Sequence, residues 1–199
     1  ELPRYAQVVL FAPEDLQIVR GDPSARRRFA DQLIVQRSPR LAGVLGDYDR
    51  VLRQRTALLK SARARGVRGD ALSTLDVWDD KLVALGTEVI EARLALASDL
   101  STPVAEAYSA IAGADHDPRL RWALSVVGGD PEEGEATAET GAAGSLAEQF
   151  RAALAARRSA ELERGLTLVG PHRDDLVLEV RGLPAVSYTH LTLPTIYSV

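Results

Sequence analysis

The chain has 199 residues, 46% of them apolar, and 24 Lys and Arg against 28 Asp and Glu give it a formal net charge of −4. That length and composition can bury a core and allow one or two domains. No apolar run approaches the roughly 20 residues that span a bilayer, the opening residues lack the order of a secretory signal, and the absence of Cys excludes disulfides and points to a cytoplasmic protein. Met is absent too and the first residue is Glu1, which reads as an internal fragment of a longer protein.

Residues 1–21 read as a strand and its exit loop, with Gln7 to Leu10 apolar and Pro13, Glu14 and Asp15 marking the turn. Residues 22–113 read as helical. Asp22 can cap a helix that has Pro23 in its first turn and Phe29, Leu33 and Ile34 as its buried stripe. Arg26, Arg27 and Arg28 cannot all face one way, because successive helical residues lie about 100° apart. Ser38 and Pro39 start the next helix, in which Leu41, Val44, Tyr48, Val51 and Leu58 recur in steps of three and four, Leu45, Leu52 and Leu59 widen the seam, and Arg55 interrupts it. After a basic turn, Ser73 with Asp76 resembles a capping box and opens a seam of Leu75, Trp78, Leu82, Leu85, Val89, Ala92 and Leu96. Two such seams predict an antiparallel helical hairpin about 35 Å long at 1.5 Å per residue. Ser101-Thr102-Pro103 should restart or kink the helix and carry Val104, Ala107, Tyr108 and Ile111 inward until Gly113 ends it.

Asp115-His116-Asp117 reads as a turn before Pro118, since neighbouring residues do not converge easily on one ion. Residues 114–127 should then form a half-buried strand in which Leu120, Trp122, Leu124 and Val126 alternate with Arg121, Ala123 and Ser125. Residues 128–144 are acidic, small and free of bases, the composition of a disordered loop. In 145–185, Ser145 and Glu148 open a helix with Leu146, Phe150, Leu154 and Leu162 inside and Gly165 at its end. Leu166 to Val169 and Leu176 to Val180 then read as short strands on either side of Gly170-Pro171-His172-Arg173-Asp174-Asp175-Leu176.

That heptad holds the densest chemistry in the chain. As a surface loop, Arg173 would pair with Asp174 or Asp175. As an H-R-D catalytic loop it would need a following Asn for magnesium, and the chain contains no Asn. As a metal site, His172 would need help from Asp174 and Asp175, yet adjacent residues at a strand entry point to opposite faces and no second His lies at ligand spacing, so no metal site is expected.

The heptad G-P-H-R-D-D-L, taken with Val8-Val9-Leu10-Phe11-Ala12-Pro13-Glu14-Asp15-Leu16 and Gly21-Asp22-Pro23-Ser24-Ala25-Arg26-Arg27-Arg28-Phe29-Ala30-Asp31 upstream, resembles the bacterial recombination mediator family RecF. The resemblance runs from about Leu2 to Ala185. It implies an α+β, mainly α, fold: a helical lid or arm with an antiparallel hairpin, flanked by strands of an ABC-type, SMC-like ATPase head. It further implies ATP with Mg2+ as cofactors, an ATP-dependent homodimer, single-stranded and gapped duplex DNA and other recombination mediators as partners, and a role in repair, replication, recombinase loading and the SOS response. Glu14, Gln17, His172, Arg173, Asp174 and Asp175 would then lie near nucleotide. The family's phosphate loop, G-x-x-x-x-G-K-[ST], does not occur in this sequence, so the chain itself is expected neither to catalyse nor to bind ATP or Mg2+ tightly. Residues 186–199 depart from the family, which continues into a serine- and glycine-rich loop, and read as a foreign tail.

Charge adds a partner. From Arg20 to Arg68 there are 13 Lys and Arg against 4 Asp, a surplus of +9 that leaves −13 for the remainder. A basic segment on an acidic chain suits a polyanion, and Arg26, Arg27, Arg53, Lys60 and Arg63 are the candidate DNA-binding residues. The competing view pairs these arginines with Asp79, Asp80, Glu88 and Glu91 of the second seam. The alternative function is a non-enzymatic helical-hairpin module that binds nucleic acid or a partner protein.

Overall fold

The structure is a computed structural model and describes residues 17–66, 73–127 and 144–185. The expected strand at Gln7 to Leu10, the loop over 128–143 and the tail over 186–199 lie outside the described residues. A short helix, α1 (Gln17–Arg20), precedes α2 (Pro23–Arg37), whose cap is Asp22 accepting from the Ser24 and Ala25 backbone N–H groups. The buried stripe of α2 is Arg26, Ala30 and Ile34, one position round from the expected Phe29 and Leu33, which are half-buried. Arg26 takes a core position because an acidic partner waits there.

Helices α3 (Leu41–Ala64) and α4 (Ser73–Ala112) form the antiparallel hairpin. Arg40 pairs with Glu88 and Arg55 with Asp79, so contacts advance along α4 as they recede along α3. The 24 residues of α3 span about 36 Å. Helix α4 runs unbroken through Pro103 for 40 residues, so the expected restart does not occur. The expected inward face beyond it is also absent: Ile111 is 88% exposed and Ala107 is exposed. An apolar spacing becomes a buried face only where another element covers it, and here Tyr108 turns to its own helix exit, its hydroxyl 3.0 Å from His116 Nδ1.

Three antiparallel strands lie in the order β1 (Pro118–Ala123), β2 (Asp175–Val180), β3 (Leu183–Pro184), with Trp122 opposite Leu176. Arg181 and Gly182, both at positive φ, make the two-residue turn between β2 and β3. The strand expected over 114–127 is shorter than its alternation implied. It stops at Ala123, and Ser125–Val127 form a 3-10 turn in which Ala123, Leu124, Ser125 and Val126 are all buried. The Ser125 N–H leaves the ladder for the Asp174 carboxylate, 2.8 Å away.

Helix α5 (Leu146–Arg164) carries both halves of the Ser145–Glu148 capping box, and Gly165 closes it at φ 67°. Phe150 and Leu154 are buried as expected, Leu162 is half-buried, and the inner position next to it belongs to Glu161, which is wholly buried. One core cluster joins Ile34 of α2, Tyr48 of α3, Leu82 and Ile90 of α4, Trp122 of β1 and Phe150 of α5. Gly86 permits a close approach: a Cβ there would lie 2.6 Å from Phe150 Cε1 and 3.2 Å from Pro171 Cδ.

Arg55, which breaks the apolar seam in sequence, continues it in space. It is fully buried, with Nη2 2.6 Å from Glu161, Nε 2.6 Å from Asp79 and Nη1 3.0 Å from Thr167 Oγ1. Arg158 meets the other Asp79 oxygen at 2.6 Å and Asp76 at 2.7 Å. Burial by itself would lower the Arg55 pKa, but the Glu161 and Asp79 carboxylates outweigh it and hold the guanidinium above its usual value, while burial raises Glu161. Removing one member of such a pair leaves an uncompensated buried charge, so Arg55→Met should cost about 3–5 kcal/mol in urea denaturation. Arg55→Met combined with Glu161→Gln should cost less than the single change, because the Gln oxygen still accepts from Leu168 without a charge. A double variant weaker than the single one would show that the stranded carboxylate is not the source of the cost.

Candidate functional site

Sequence periodicity makes Leu166 to Val169 a strand, and the structure does not. The stretch belongs to no strand and bends at Leu166 and Val169, although Thr167, Leu168 and Val169 are buried. Buried backbone groups need partners, and side chains supply them. The Leu168 N–H donates to Glu161 Oε1 at 2.8 Å, the Gly170 N–H to Ser125 Oγ at 2.9 Å, and the Thr167 carbonyl lies 3.1 Å from His172 Nε2.

The loop then turns through Gly170, at φ 131°, where a Cβ would meet Tyr48 Oη at 2.6 Å and Phe150 Cζ at 2.9 Å. Both the dihedral and the space demand glycine. Arg93 of α4 donates to the Pro171 carbonyl at 2.6 Å, holds Asp31 of α2 through two bonds of 2.8 and 2.9 Å, and lies 4.9 Å over the Trp122 ring. Arg26 grips the Asp175 carboxylate at 2.6 and 2.9 Å, and Arg27 donates to the Asp174 carbonyl at 2.7 Å. The two adjacent aspartates do diverge: Asp175 faces α2, and Asp174 turns inward to the Ser125 N–H and hydroxyl. Arg26, brought from α2, is an ionic partner of Asp175.

Burial favours the uncharged form of three groups here, His172, Tyr48 and Asp174. The Thr167 carbonyl can only accept, so His172 carries its proton on Nε2, and Nδ1 accepts from the Tyr48 hydroxyl 2.7 Å away. Burial pulls His172 down to about 3 and pushes Tyr48 up. Burial also raises Asp174 to about 6 against the opposing Ser125 hydrogen bonds, and its Oδ2 has no partner among the described residues. A cleft of about 510 Å³ opens beside the loop between α2 and α3, with Arg27, Arg28, Tyr48, Arg93, Pro171 and His172 on its walls.

Of the residues singled out from sequence, His172, Arg173, Asp174 and Asp175 share the loop, and Arg26 and Arg27 are brought to it from α2. Arg26 is corrected as a DNA contact: its side chain is 8% exposed and fully engaged by Asp175 and the Gly21 carbonyl, so it cannot face a phosphate. Arg53, Lys60 and Arg63 lie elsewhere, exposed on α3. Glu14 lies outside the described residues, and Gln17 is placed only as part of the α1 backbone. Tyr48, Arg93, Ser125, Glu161 and Thr167 complete the site unannounced, because their partners are distant in sequence. Two N–H groups of the loop are already used, that of Gly170 on Ser125 and that of Arg173 on the Gly170 carbonyl, so neither is left to cradle a phosphate. Among the described residues no cluster of His, Asp and Glu is placed to hold a metal, and no helix is long and apolar enough to cross a membrane.

No protein-family model matches the chain. Curated relatives do. The DNA replication and repair protein RecF of Clavibacter sepedonicus is 57% identical over 196 residues, covering 94% of this chain and 48% of that protein. The protein of the same name from Leifsonia xyli subsp. xyli is 56% identical over 94% of this chain and 50% of its own length. The chain thus spans about half the length of the curated relatives it matches. Among solved structures, the recombination mediator protein RecF-ATP in the RecFOR pathway superposes with a TM-score of 0.75 at 24% identity, over 92% of this chain and 45% of that one. The corresponding structure with ATPrS gives 0.73 at 25% identity, over 92% and 46%. The mainly helical α+β fold read from sequence is the fold these structures share.

Two buried groups with opposite shifts make a test of the site. His172, lowered from 6.5 to about 3, contributes stability that is complete above its unfolded value and lost as pH falls from 6.5 towards 3. Asp174, raised from 3.8 to about 6, contributes stability that is complete below 3.8 and lost as pH rises through 6. Between pH 7 and 5 the first costs about 2 kcal/mol and the second returns about 1 kcal/mol. Asp174→Asn should therefore steepen the loss of stability on going from pH 7 to 5, and His172→Gln should reverse or flatten it. Urea melts at the two pH values that give parallel changes for both variants would show that neither group is held as described.

Proposed function

The chain belongs to the RecF family over the half of those proteins that it spans, and from this we propose that it is the arm of an ATP-dependent DNA-binding protein of recombinational repair and replication. The observation that carries the reading is that the match to the relatives runs through nearly the whole chain. As a proposal this includes a cytoplasmic location, single-stranded and gapped duplex DNA, other recombination mediators as partners, ATP with Mg2+, and an ATP-dependent homodimer. It assigns residues 22–113 to the helical arm and the strands at either side to an ATPase head.

Within that reading the chain's own residues hold position rather than react. The Gly170 to Leu176 loop, gripped by Arg26, Arg27, Arg93 and Tyr48, fixes the sheet end of β2 against the arm. In phosphoryl transfer the charge stabilisation comes from a phosphate loop and Mg2+, and this sequence has no such loop. His172, Arg173, Asp174 and Asp175 are accordingly assigned to positioning, with nucleotide approaching from outside the described residues.

Two measurements test this. The chain alone should show no ATP turnover above background. A chimaera in which it replaces the matching half of the Clavibacter sepedonicus relative should bind DNA more tightly with ATP than without. A chimaera that melts cooperatively yet binds DNA equally in both conditions would sink the reading.

A further inference from the structure

We propose that the cleft between α2 and α3 is a docking site for a partner protein, taking from it an apolar side chain on the floor and a neighbouring carboxylate at the rim. This goes beyond the DNA-binding reading and does not depend on it. The cleft has a volume of about 510 Å³, and Val35, Leu45, Leu52, Val89 and Pro171 supply its apolar lining, a size and character suited to holding a ligand. The loop keeps it open. Pro171 and His172 form part of its wall, tied to α3 by the Tyr48 hydroxyl on His172 and to α4 by Arg93 on the Pro171 carbonyl, while Arg27 ties α2 to the Asp174 carbonyl. Walls bonded in this way do not close on the space, so the site is formed before anything enters it.

The polar groups on the walls decide what fits. Tyr48 bonds to His172 and His172 to the Thr167 carbonyl, Arg93 holds Asp31, Asp49 pairs with Arg53, and the Ser24 side chain bonds to the Asp22 carboxylate. A polar atom of the occupant buried among them would therefore go unpaired. That disfavours a nucleobase, which carries donors and acceptors round its ring, and favours a hydrocarbon side chain. Arg28 and Gln32 differ from the rest of the lining: both are exposed, one turn apart on α2, and neither has a side-chain partner among the described residues. Arg28 offers its guanidinium fork to a carboxylate, and the Gln32 amide offers the donor and acceptor that match a peptide group. An apolar anchor, a carboxylate and a peptide bond side by side describe an acidic protein segment that carries a large apolar residue. The bland account is a groove with a few exposed apolar residues, which are common on any surface. It does not explain why apolar residues of α2, α3, α4 and the loop converge on one space.

The test is methyl NMR of the whole 199-residue chain with labelled Leu and Val, titrated with the peptide acetyl-Gly-Ser-Asp-Leu-Phe-Asp-Ser-Gly-amide. The Phe ring should move the methyl resonances of Val35, Leu45, Leu52 and Val89 and leave those of Leu154, buried on α5, in place. Arg28→Gln removes an exposed group that nothing in the fold relies on, and should weaken binding about two- to five-fold, the worth of one exposed ion pair. Arg28→Glu should weaken it further and bind better to the peptide with Lys in place of Asp. Absence of these shifts, equal shifts with Ser in place of Leu and Phe, or no reversal of preference in Arg28→Glu would overturn the docking site. Octanoate or oligothymidylate moving the same methyls as far as the peptide does would overturn it in favour of a fatty acid or a nucleic acid. Overhauser contacts from these methyls to Phe11 or Leu16 in the free chain would show the cleft filled by the chain's own residues 1–16, and would overturn it too.

Discussion

The constraint on which this structure depends is that the segment from Thr167 to Asp174 is largely buried, only His172 and Arg173 being half-exposed, without belonging to a sheet. A strand would find its hydrogen bonds in a neighbouring strand; this segment has to find them in side chains, and each comes from a different element. Glu161 arrives from α5, Ser125 from the turn after β1, Arg93 from α4 and Arg27 from α2, while Tyr48 of α3 holds the imidazole that in turn sits on the Thr167 carbonyl. Moving any one of those elements would strand a buried donor or acceptor, at about 1–3 kcal/mol each. The loop thus fixes the relative placement of four helices and the sheet.

Arginine is the residue that makes this possible. Its planar fork of donors can bind a carboxylate through two bonds and still reach a carbonyl, which a lysine ammonium does less well. Arg26 does this with Asp175 and the Gly21 carbonyl and Arg93 with Asp31 and the Pro171 carbonyl, while Arg55 spreads its donors over two carboxylates, Glu161 and Asp79, and the Thr167 hydroxyl. The only two lysines in the chain, Lys60 and Lys81, are both exposed. Arg26 and Arg55, both counted in the basic surplus between Arg20 and Arg68, are therefore interior wiring, and net charge along a sequence does not measure charge on a surface.

What the sequence made legible was whatever depends on neighbours in the chain. Asp22 before Pro23, the Ser145–Glu148 box and Gly165 mark helix ends through contacts within a few residues, and the three-four seams of α3 and α4 gave the hairpin. The failures all involve partners far away in sequence. Arg55 looked like a break because the carboxylate that justifies it is 106 residues on. Leu166 to Val169 looked like a strand because burial on both sides produces the same apolar run whether the backbone bonds go to a strand or to side chains. Ile111 looked buried because periodicity states which face a helix would bury, not whether anything covers it. The heptad itself stood out by composition, whereas Ser125, Tyr48 and Arg93 carried no local signal.

The same network decides how the arm can move. The loop is joined to α2 through Arg26–Asp175 and Arg27, to α4 through Arg93, and to α3 through Tyr48 and His172, while Arg55 clamps α3 to α5 and α4 deeper in the hairpin. Parting a buried ion pair costs about 3–5 kcal/mol, more than the few kcal/mol that separate accessible conformers of a switching protein. The hairpin is joined to the loop and the sheet by hydrogen bonds, Tyr48 to His172, Arg93 to the Pro171 carbonyl and the Trp122 indole to the Arg93 carbonyl, while the ion pair to β2 comes from α2. Swinging the hairpin away would break these bonds together, so the loop ties α3 at Tyr48 to the same network that holds the sheet end of β2.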